Sequence, residues 1–198
     1  MKNSSVLGSV AIGCESKKAR RLRADIIFFD EVGWSFQERV THTWAPRGKP
    51  PMLRRKSQRR ELSSAVGLSI SGKIYKRHFR RAIDGELIIE ALKHIHRQVG
   101  GRFILIWDRA PTHRAKVVSQ YLSNQPEIYP EWLPAYAPEL NPEEYCHGNV
   151  KERIRNSTPQ SVAEMQTAVD RGFARLRRRR DLLLGFFHHA GLTVKQLW

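Results

Sequence analysis

The stretches Asp25-Ile26-Ile27-Phe28-Phe29-Asp30 and Phe103-Ile104-Leu105-Ile106-Trp107-Asp108 decide the fold. Each is a short run of β-branched and aromatic residues that ends in an aspartate, and such a run is typical of a strand buried on both faces. If the two strands lie side by side and parallel, both chains leave the sheet at the same edge. Asp30 and Asp108 then stand together at the strand ends, where open α/β folds bind their ligands.

The residues between these two strands predict further β structure. Residues 62 to 70 are small and apolar enough for a buried strand, residues 71 to 73 make a turn, and residues 74 to 79 return, which completes an antiparallel meander. Ahead of the meander, residues 33 to 53 contain a stretch rich in proline and glycine that indicates a hairpin or an irregular strand pair.

Apolar residues at helical spacing predict four helices. They run from a cap at Asp84 to a stop at Gly100, from a cap at Thr112 to Leu122, from Glu143 to Arg155, and from Thr158 to Leu176 as the final element. A strand over residues 128 to 133 lies between the second and third helices. Strands that alternate with helices in this way indicate an α/β domain.

Size and charge narrow the class of protein. The 198 residues are 40% hydrophobic, enough for one compact domain, and 35 Lys and Arg against 19 Asp and Glu give a net charge of +16. Such an excess is typical of proteins that bind polyanions. We divide the chain into a basic N-terminal lead, residues 1 to 23, and a domain over residues 24 to 198.

Cysteine usage and hydropathy bear on location. Cys14 and Cys146 form no recognisable zinc spacing and suit a reducing compartment. We see no apolar run long enough to span a bilayer and no signal peptide in Met1 to Glu15. The expectation is a cytoplasmic protein that does not associate with membranes.

Three acidic residues form the candidate site: Asp30 and Asp108 at strand ends, and Glu144 early on a helix. Carboxylates brought together repel one another unless they bind hard cations, and oxygen ligands suit Mg²⁺ or Mn²⁺. Two such ions about 3.5 to 4 Å apart can activate a water or a 3′-hydroxyl for in-line attack on a phosphodiester. The pattern therefore indicates metal-dependent chemistry on nucleic acid.

Three motifs carry a resemblance to a known family. The stretch Leu133-Pro134-Ala135-Tyr136-Ala137-Pro138-Glu139-Leu140-Asn141-Pro142-Glu143-Glu144, followed by Lys151, resembles the signature of DDE transposases of the Tc/mariner superfamily, especially the bacterial insertion-sequence type. Residues 27 to 31 resemble the first catalytic strand of that family, and residues 106 to 113 resemble the second. Asp108 and Glu144 have 35 residues between them, a separation of the family's kind.

The resemblance implies a fold, an activity and partners. The fold is a ribonuclease-H-like mixed sheet of about five strands flanked by helices. The activity is cleavage of DNA at transposon ends and attack of the freed 3′-hydroxyl on target DNA, with Asp30, Asp108 and Glu144 as ligands of two Mg²⁺ or Mn²⁺ ions. The partners are double-stranded DNA and a second copy of the chain in the DNA complex.

The sequence also departs from the family pattern. Arg109 stands where asparagine is usual, and Cys146-His147 replaces an apolar-tryptophan pair. The family's helix-turn-helix modules, which read the element's ends in the major groove, have no counterpart in the 29 residues before Asp30. We interpret the chain as a catalytic half, a truncated gene, or the second product of a split reading frame whose helix-turn-helix portion is encoded separately.

Several side chains have a plain structural explanation. Only the motif register favours Glu144 over Glu143, which we expect to act as a helix-dipole partner. His113, one turn into a helix, is expected to be structural, although it could contact a phosphate. Trp34 and Trp44 could stack on bases, but aromatic residues in a hairpin are more often core residues.

The basic clusters have two explanations, since they could bind phosphates or be solvated faces. They are Arg54-Arg55-Lys56, Arg59-Arg60, Lys76-Arg77, Arg80-Arg81 and Arg177 to Arg180.

Two other functions remain open at this point. The chain could be a structure-selective nuclease of the ribonuclease H or junction resolvase kind, which uses a similar acidic cluster. It could also be a non-catalytic DNA-binding remnant of a transposase that keeps only the basic surface.

Overall fold

A computed structural model describes residues 17–36, 44–49, 52, 62–135, 137–155 and 157–192. About half of the hairpin predicted over residues 33 to 53 lies outside these residues, as do the basic clusters between residues 54 and 60. Residues 17–22, at the end of the predicted basic lead, are helical. The division of the chain at residue 24 stays a prediction.

Five strands of the described chain form one mixed sheet, as predicted. They are β1 (Asp25–Trp34), β2 (Leu62–Ser69), β3 (Ile74–Phe79), β4 (Phe103–Trp107) and β5 (Ile128–Trp132), in the order β3-β2-β1-β4-β5. The predicted meander is confirmed, because β2 pairs antiparallel with both β1 and β3. The predicted parallel pairing is confirmed as well, because β1 and β5 flank β4 in parallel.

The central strands are apolar throughout because both faces of the sheet are covered. Alternate residues face opposite sides, so Ile26 and Phe28 join one apolar core while Ile27 and Phe29 join the other. All five residues of β4 are buried in the same alternating way. A two-sided core of this kind explains why the first and fourth strands read as unbroken apolar runs.

Besides the helical residues 17–22, five α-helices cover the two faces of the sheet in the described part of the chain. They are α1 (Gly85–Val99), α2 (Lys116–Ser123), α3 (Pro142–Ile154), α4 (Val162–Leu176) and α5 (Arg180–His189). Residues of α1 and α2 belong to one core, and residues of α3, α4 and α5 belong to the other. No described helix is long and apolar enough to cross a membrane.

Two helix predictions were wrong. Thr112 does not cap α2, because residues 111–114 form a turn and the helix begins after Ala115, which makes no side-chain capping bond. The helix ending at Leu176 is not the last, because α5 follows the arginine run and buries Leu183, Phe186 and Phe187. By contrast, two predicted helix starts are confirmed. Asp84 caps α1, and Pro142 is the first residue of α3.

The first strand also runs further than predicted. Asp30 is not its last residue, because β1 continues to Trp34 while it pairs with β2 from Asp30↔Val66 to Trp34↔Leu62. Trp34 is buried, and its Nε1 donates a hydrogen bond to Ser64 Oγ at 2.6 Å, so the core explanation is confirmed for this residue. Trp44 is fully exposed, so that explanation is wrong for Trp44.

The packing of α3 on α4 predicts the effect of one glycine. A Cβ at Gly172 would lie 2.8 Å from Val150 Cγ1, a stiff β-branched side chain, so Gly172→Ala should lower the free energy of unfolding by about 1 to 3 kcal/mol. A Cβ at Gly185, in α5, would meet nothing within 4 Å. Gly185→Ala should therefore raise the free energy of unfolding by about 0.5 to 1 kcal/mol, because alanine has the higher helix propensity. Urea denaturation measures both, and equal effects of the two substitutions would contradict the close α3–α4 contact.

Candidate active site

The register of β1 and β4 places the two aspartates. Phe28 lies opposite Ile106 at the end of the parallel pairing, and both chains reach an aspartate two residues later. Asp30 is half-buried within β1, and Asp108 is exposed beyond the end of β4. The parallel pair therefore delivers both carboxylates to one edge of the sheet, as the sequence predicted.

The start of α3 brings the third acid to the same place. Asn141 caps the helix, because its Oδ1 accepts a hydrogen bond from Glu143 N at 3.2 Å. Its Nδ2 donates to Asp30 Oδ2, also at 3.2 Å. One buried amide thus ties the helix that carries Glu144 to the strand that carries Asp30. We assigned no role to Asn141 from the sequence, although it lies inside the quoted motif.

The three acids share one open cavity of about 430 Å³. Within it, Asp30 and Glu144 are close, and their oxygens and a ring nitrogen of His147 all lie within 4.8 Å of one another. Asp108 lines the cavity but does not belong to this close group. The structure therefore brings together the three predicted residues around one space, with Asp30 and Glu144 nearest to each other.

The carboxylates at the cavity repel one another. Burial, together with the neighbouring carboxylates of Glu31, Glu144 and Asp108, raises the pKa of Asp30 to about 8. A divalent ion beside Asp30 would relieve this repulsion and stabilise the charged carboxylate. The donor set and its charge therefore fit a hard cation.

Glu143 differs from its neighbour. Glu144 is exposed and lines the cavity, whereas Glu143 is completely buried and neither of its carboxylate oxygens has a hydrogen-bond partner. Burial, with the charges of Asp30 and Glu144, raises the pKa of Glu143 well above its usual value. Glu143 lies in the first turn of the helix, as predicted, but its side chain points into the interior, because consecutive helix residues point in different directions.

His113 connects the two aspartate-bearing strands. Its Nδ1 lies 2.8 Å from Asp108 Oδ1, and its Nε2 lies 2.7 Å from Oε1 of Glu31, the residue after Asp30. The ring is buried and stacks on Trp107 with centroids 4.4 Å apart, and Trp107 stacks in turn on Trp132. The Nδ1 of His113 also donates a hydrogen bond to the backbone carbonyl of Asp108 at 3.1 Å, so His113 braces the chain at Asp108 against Glu31, 82 residues away in sequence.

Two arginines lie beside the acids. Arg109 and Arg114 are exposed and line the same cavity as Asp30, Asp108 and Glu144. Other basic residues are already paired, since Lys76 contacts Asp170 and Arg77 contacts Glu90. Arg109 and Arg114, which we had not assigned to the site, are therefore better placed to bind a phosphate than Lys76 and Arg77 of the predicted basic clusters.

The contacts of His113 predict a pH-dependent stability. Burial alone would lower the pKa of His113, but the hydrogen bond and charge of Glu31 and the contacts with Asp108 outweigh it, so the pKa is raised. A histidine with a raised pKa stabilises the fold below its unfolded pKa of about 6.5 and loses that contribution as pH rises through the folded value.

We therefore expect His113→Phe, which keeps the stacking on Trp107, to lower the free energy of unfolding by about 1 to 3 kcal/mol near pH 6 and by less near pH 9. Denaturant titrations in EDTA at several pH values measure this. His78→Phe is the control, because burial lowers the pKa of His78 and its effect should change with pH in the opposite direction. A loss for His113→Phe that grows with pH would contradict the assignment.

Comparison with solved structures identifies the fold. The chain is similar to the Mos1 mariner paired end complex with Mn (TM-score 0.65, 18% identity, covering 96% of this chain and 61% of that chain). It is also similar to the catalytic domain of Mos1 mariner transposase (TM-score 0.57, 16% identity, covering 98% and 96%). A simian T-cell lymphotropic virus intasome matches less well (TM-score 0.51, 14% identity, covering 73% and 46%).

These similarities confirm the predicted ribonuclease-H-like fold. The chain spans 64% of the Mos1 chain in its complex with the left transposon end. No curated protein matches the sequence.

A sequence profile identifies the family. The profile described as DDE superfamily endonuclease matches residues 25–166, which run from the start of β1 into α4 and include all three acids of the cavity. This match covers most of the chain and agrees with both the motif order and the fold. The chain therefore belongs to the DDE superfamily of endonucleases.

Proposed function

We propose that this protein is the catalytic portion of a transposase that cleaves DNA strands and joins the freed 3′-hydroxyl to a target. The observation that carries the proposal is the convergence of Asp30, Asp108 and Glu144 on one cavity in a member of the DDE endonucleases. The similarity to Mos1 transposase supports it, since Mos1 forms paired-end and strand transfer complexes.

The proposed metal ligands are Asp30, Asp108 and Glu144. Their oxygens suit Mg²⁺ or Mn²⁺, and Mos1 complexes contain one or the other of these metals. Two bound ions would supply an activated nucleophile and stabilisation of the departing oxygen during in-line attack. The raised pKa of Asp30 supports this assignment, because such a carboxyl gains most from a neighbouring cation.

Other side chains of the cavity have supporting roles in this proposal. Asn141 orients Asp30, and His113 orients Asp108 through the contacts described above. Arg109 and Arg114 can hold the phosphates on either side of the scissile bond, because guanidinium groups bind phosphate oxygens in a planar, bidentate way. A net charge of +16 would draw the rest of the duplex to the surface.

The proposal extends to partners and setting. We propose double-stranded DNA as the substrate, at transposon ends and at the target, and a homodimer in the DNA complex. We also propose a separately encoded helix-turn-helix portion that reads the ends, an origin in a bacterial insertion sequence, and a cytoplasmic location. An upstream overlapping reading frame that encodes helix-turn-helix segments would support the split arrangement.

The central test is nicking of supercoiled plasmid DNA with Mg²⁺ or Mn²⁺. Asp30→Asn, Asp108→Asn and Glu144→Gln should each lower the nicking rate by more than about 100-fold, because losing a ligand costs more than the 10- to 100-fold typical of a residue behind the ligands. Glu152→Gln, which removes an exposed carboxylate from the same helix as Glu144, should leave the rate unchanged.

The outcomes of this test separate the possible functions. Equal nicking by the parent and all three ligand variants would show that the acids are not the catalytic centre. A parent that binds DNA but never nicks it would identify the chain as a DNA-binding remnant. Cleavage confined to junctions or to RNA–DNA hybrids would identify a structure-selective nuclease instead.

The pKa of Asp30 predicts how metal and stability are linked. An acid whose folded pKa is about 8 destabilises the fold progressively as pH rises from about 4 to about 8, because the unfolded chain releases its proton more readily. In EDTA, Asp30→Asn should therefore be more stable than the parent at pH 8.5, by roughly 2 to 4 kcal/mol or at least about 5 °C in Tm. At pH 4 the two should be alike.

Added Mn²⁺ should raise the Tm of the parent and have little effect on Asp30→Asn, since only the parent has the full ligand set. Thermal unfolding followed by circular dichroism measures both effects. Asp181→Asn serves as the control, because it removes an exposed carboxylate paired with Arg179 and should gain no stability at alkaline pH. An Asp30→Asn variant less stable than the parent at pH 8.5 would contradict the strained cluster.

A further inference from the structure

His147 lies beside Asp30 and Glu144 in a way that the family pattern does not explain. It lies in α3 three residues after Glu144, at the position where this sequence departs from the usual tryptophan. One of its ring nitrogens lies within 4.8 Å of a carboxylate oxygen of Asp30 and of one from Glu144. The side chain is buried, and its Nε2 has no hydrogen-bond partner.

Helix geometry accounts for this closeness. Residues three apart lie on the same face of a helix, so Glu144 and His147 can present a carboxylate and an imidazole to the same point. The same Glu-x-x-His spacing supplies ligands to metal sites in helical bundles. Asp30 adds a second carboxylate from β1, so the donors come from two elements held together by Asn141.

The surroundings of the ring also suit a metal ligand. Glu143 Oε2 lies 3.4 Å from His147 Nε2, which places a buried carboxylate beside the imidazole. The contact is to Nε2, the nitrogen without a hydrogen-bond partner, so it adds negative charge where a cation would bind. Donor atoms around one ion at 2.0–2.2 Å lie about 3 to 4.4 Å apart, so a small side-chain adjustment would bring this cluster into range.

We propose that His147 is a nitrogen ligand of the metal centre, and that the site of this protein therefore favours Mn²⁺ and Co²⁺ over Mg²⁺. The inference rests on the proposed function in so far as Asp30 and Glu144 hold the metal there. Imidazole suits first-row transition metals, whereas Mg²⁺ takes oxygen ligands and gives up its waters reluctantly. A mixed nitrogen and oxygen set thus changes which divalent ion the protein selects.

Pulsed electron paramagnetic resonance of the Mn²⁺-loaded protein tests the ligand directly. A coordinated imidazole gives a ¹⁴N modulation in the electron spin echo, and we expect it in the parent and not in His147→Phe. His113→Phe, at saturating Mn²⁺, is the matched control, because it removes the other buried imidazole near the acids and should keep the signal. Persistence of the modulation in His147→Phe, or its loss only in His113→Phe, would overturn the assignment.

Calorimetric titration tests the selectivity. His147→Phe should weaken the binding of Mn²⁺ and Co²⁺ by about 10-fold or more and change that of Mg²⁺ by less than about 3-fold. Equal weakening for all three ions would overturn the proposal, since it would indicate a merely structural effect. Circular dichroism in EDTA checks that His147→Phe folds. If it does not fold, His147→Gln, which replaces the imidazole by a side-chain amide, is titrated instead.

Failure of this inference can be told apart from failure of the proposed function. If Mn²⁺ binds the parent and supports nicking but gives no ¹⁴N modulation, only the role of His147 is wrong. If Mn²⁺ does not bind the parent at all, both the metal centre and the nitrogen ligand are wrong.

Discussion

Everything in this protein that bears on chemistry depends on the parallel pairing of β1 with β4. With Phe28 opposite Ile106, both chains reach an aspartate at the same distance beyond the pairing. A shift by one residue would send one aspartate to the other face of the sheet. The register is held by two apolar cores, because Phe28 and Ile106 pack on one side while Phe29 and Leu105 pack on the other.

The third acid depends on a separate constraint, the helix start at Asn141. The amide satisfies a backbone donor of the helix and the carboxylate of Asp30 at once, so folding of α3 and placement of Glu144 are coupled to the strand. The cluster that results opposes folding through its own repulsion. Such sites are common where function requires charge in a place that stability would leave apolar.

The sequence predicted the sheet, the parallel pairing and the gathering of Asp30, Asp108 and Glu144, because those features follow from strand periodicity and from a motif with fixed spacing. It failed where tertiary packing decides. The apolar run of β1 predicted a strand end at Asp30, although the strand continues and the side chains of Val32 and Trp34 alternate into the core. The helix α5 was missed because an arginine run precedes it, and no local signal shows that Leu183 and Phe187 beyond that run find a core.

The stacked rings of Trp132, Trp107 and His113 have a consequence for how this protein can evolve. Trp132 is exposed, yet it lies at the outer end of a column whose inner end holds Asp108. Replacing the outer ring would remove the stacking partner of Trp107, and Trp107 stacks in turn on the ring that contacts the Asp108 carboxylate. A substitution at this partly exposed position on an edge strand would therefore act on the arrangement of the buried residues behind it, as a substitution in the interior does.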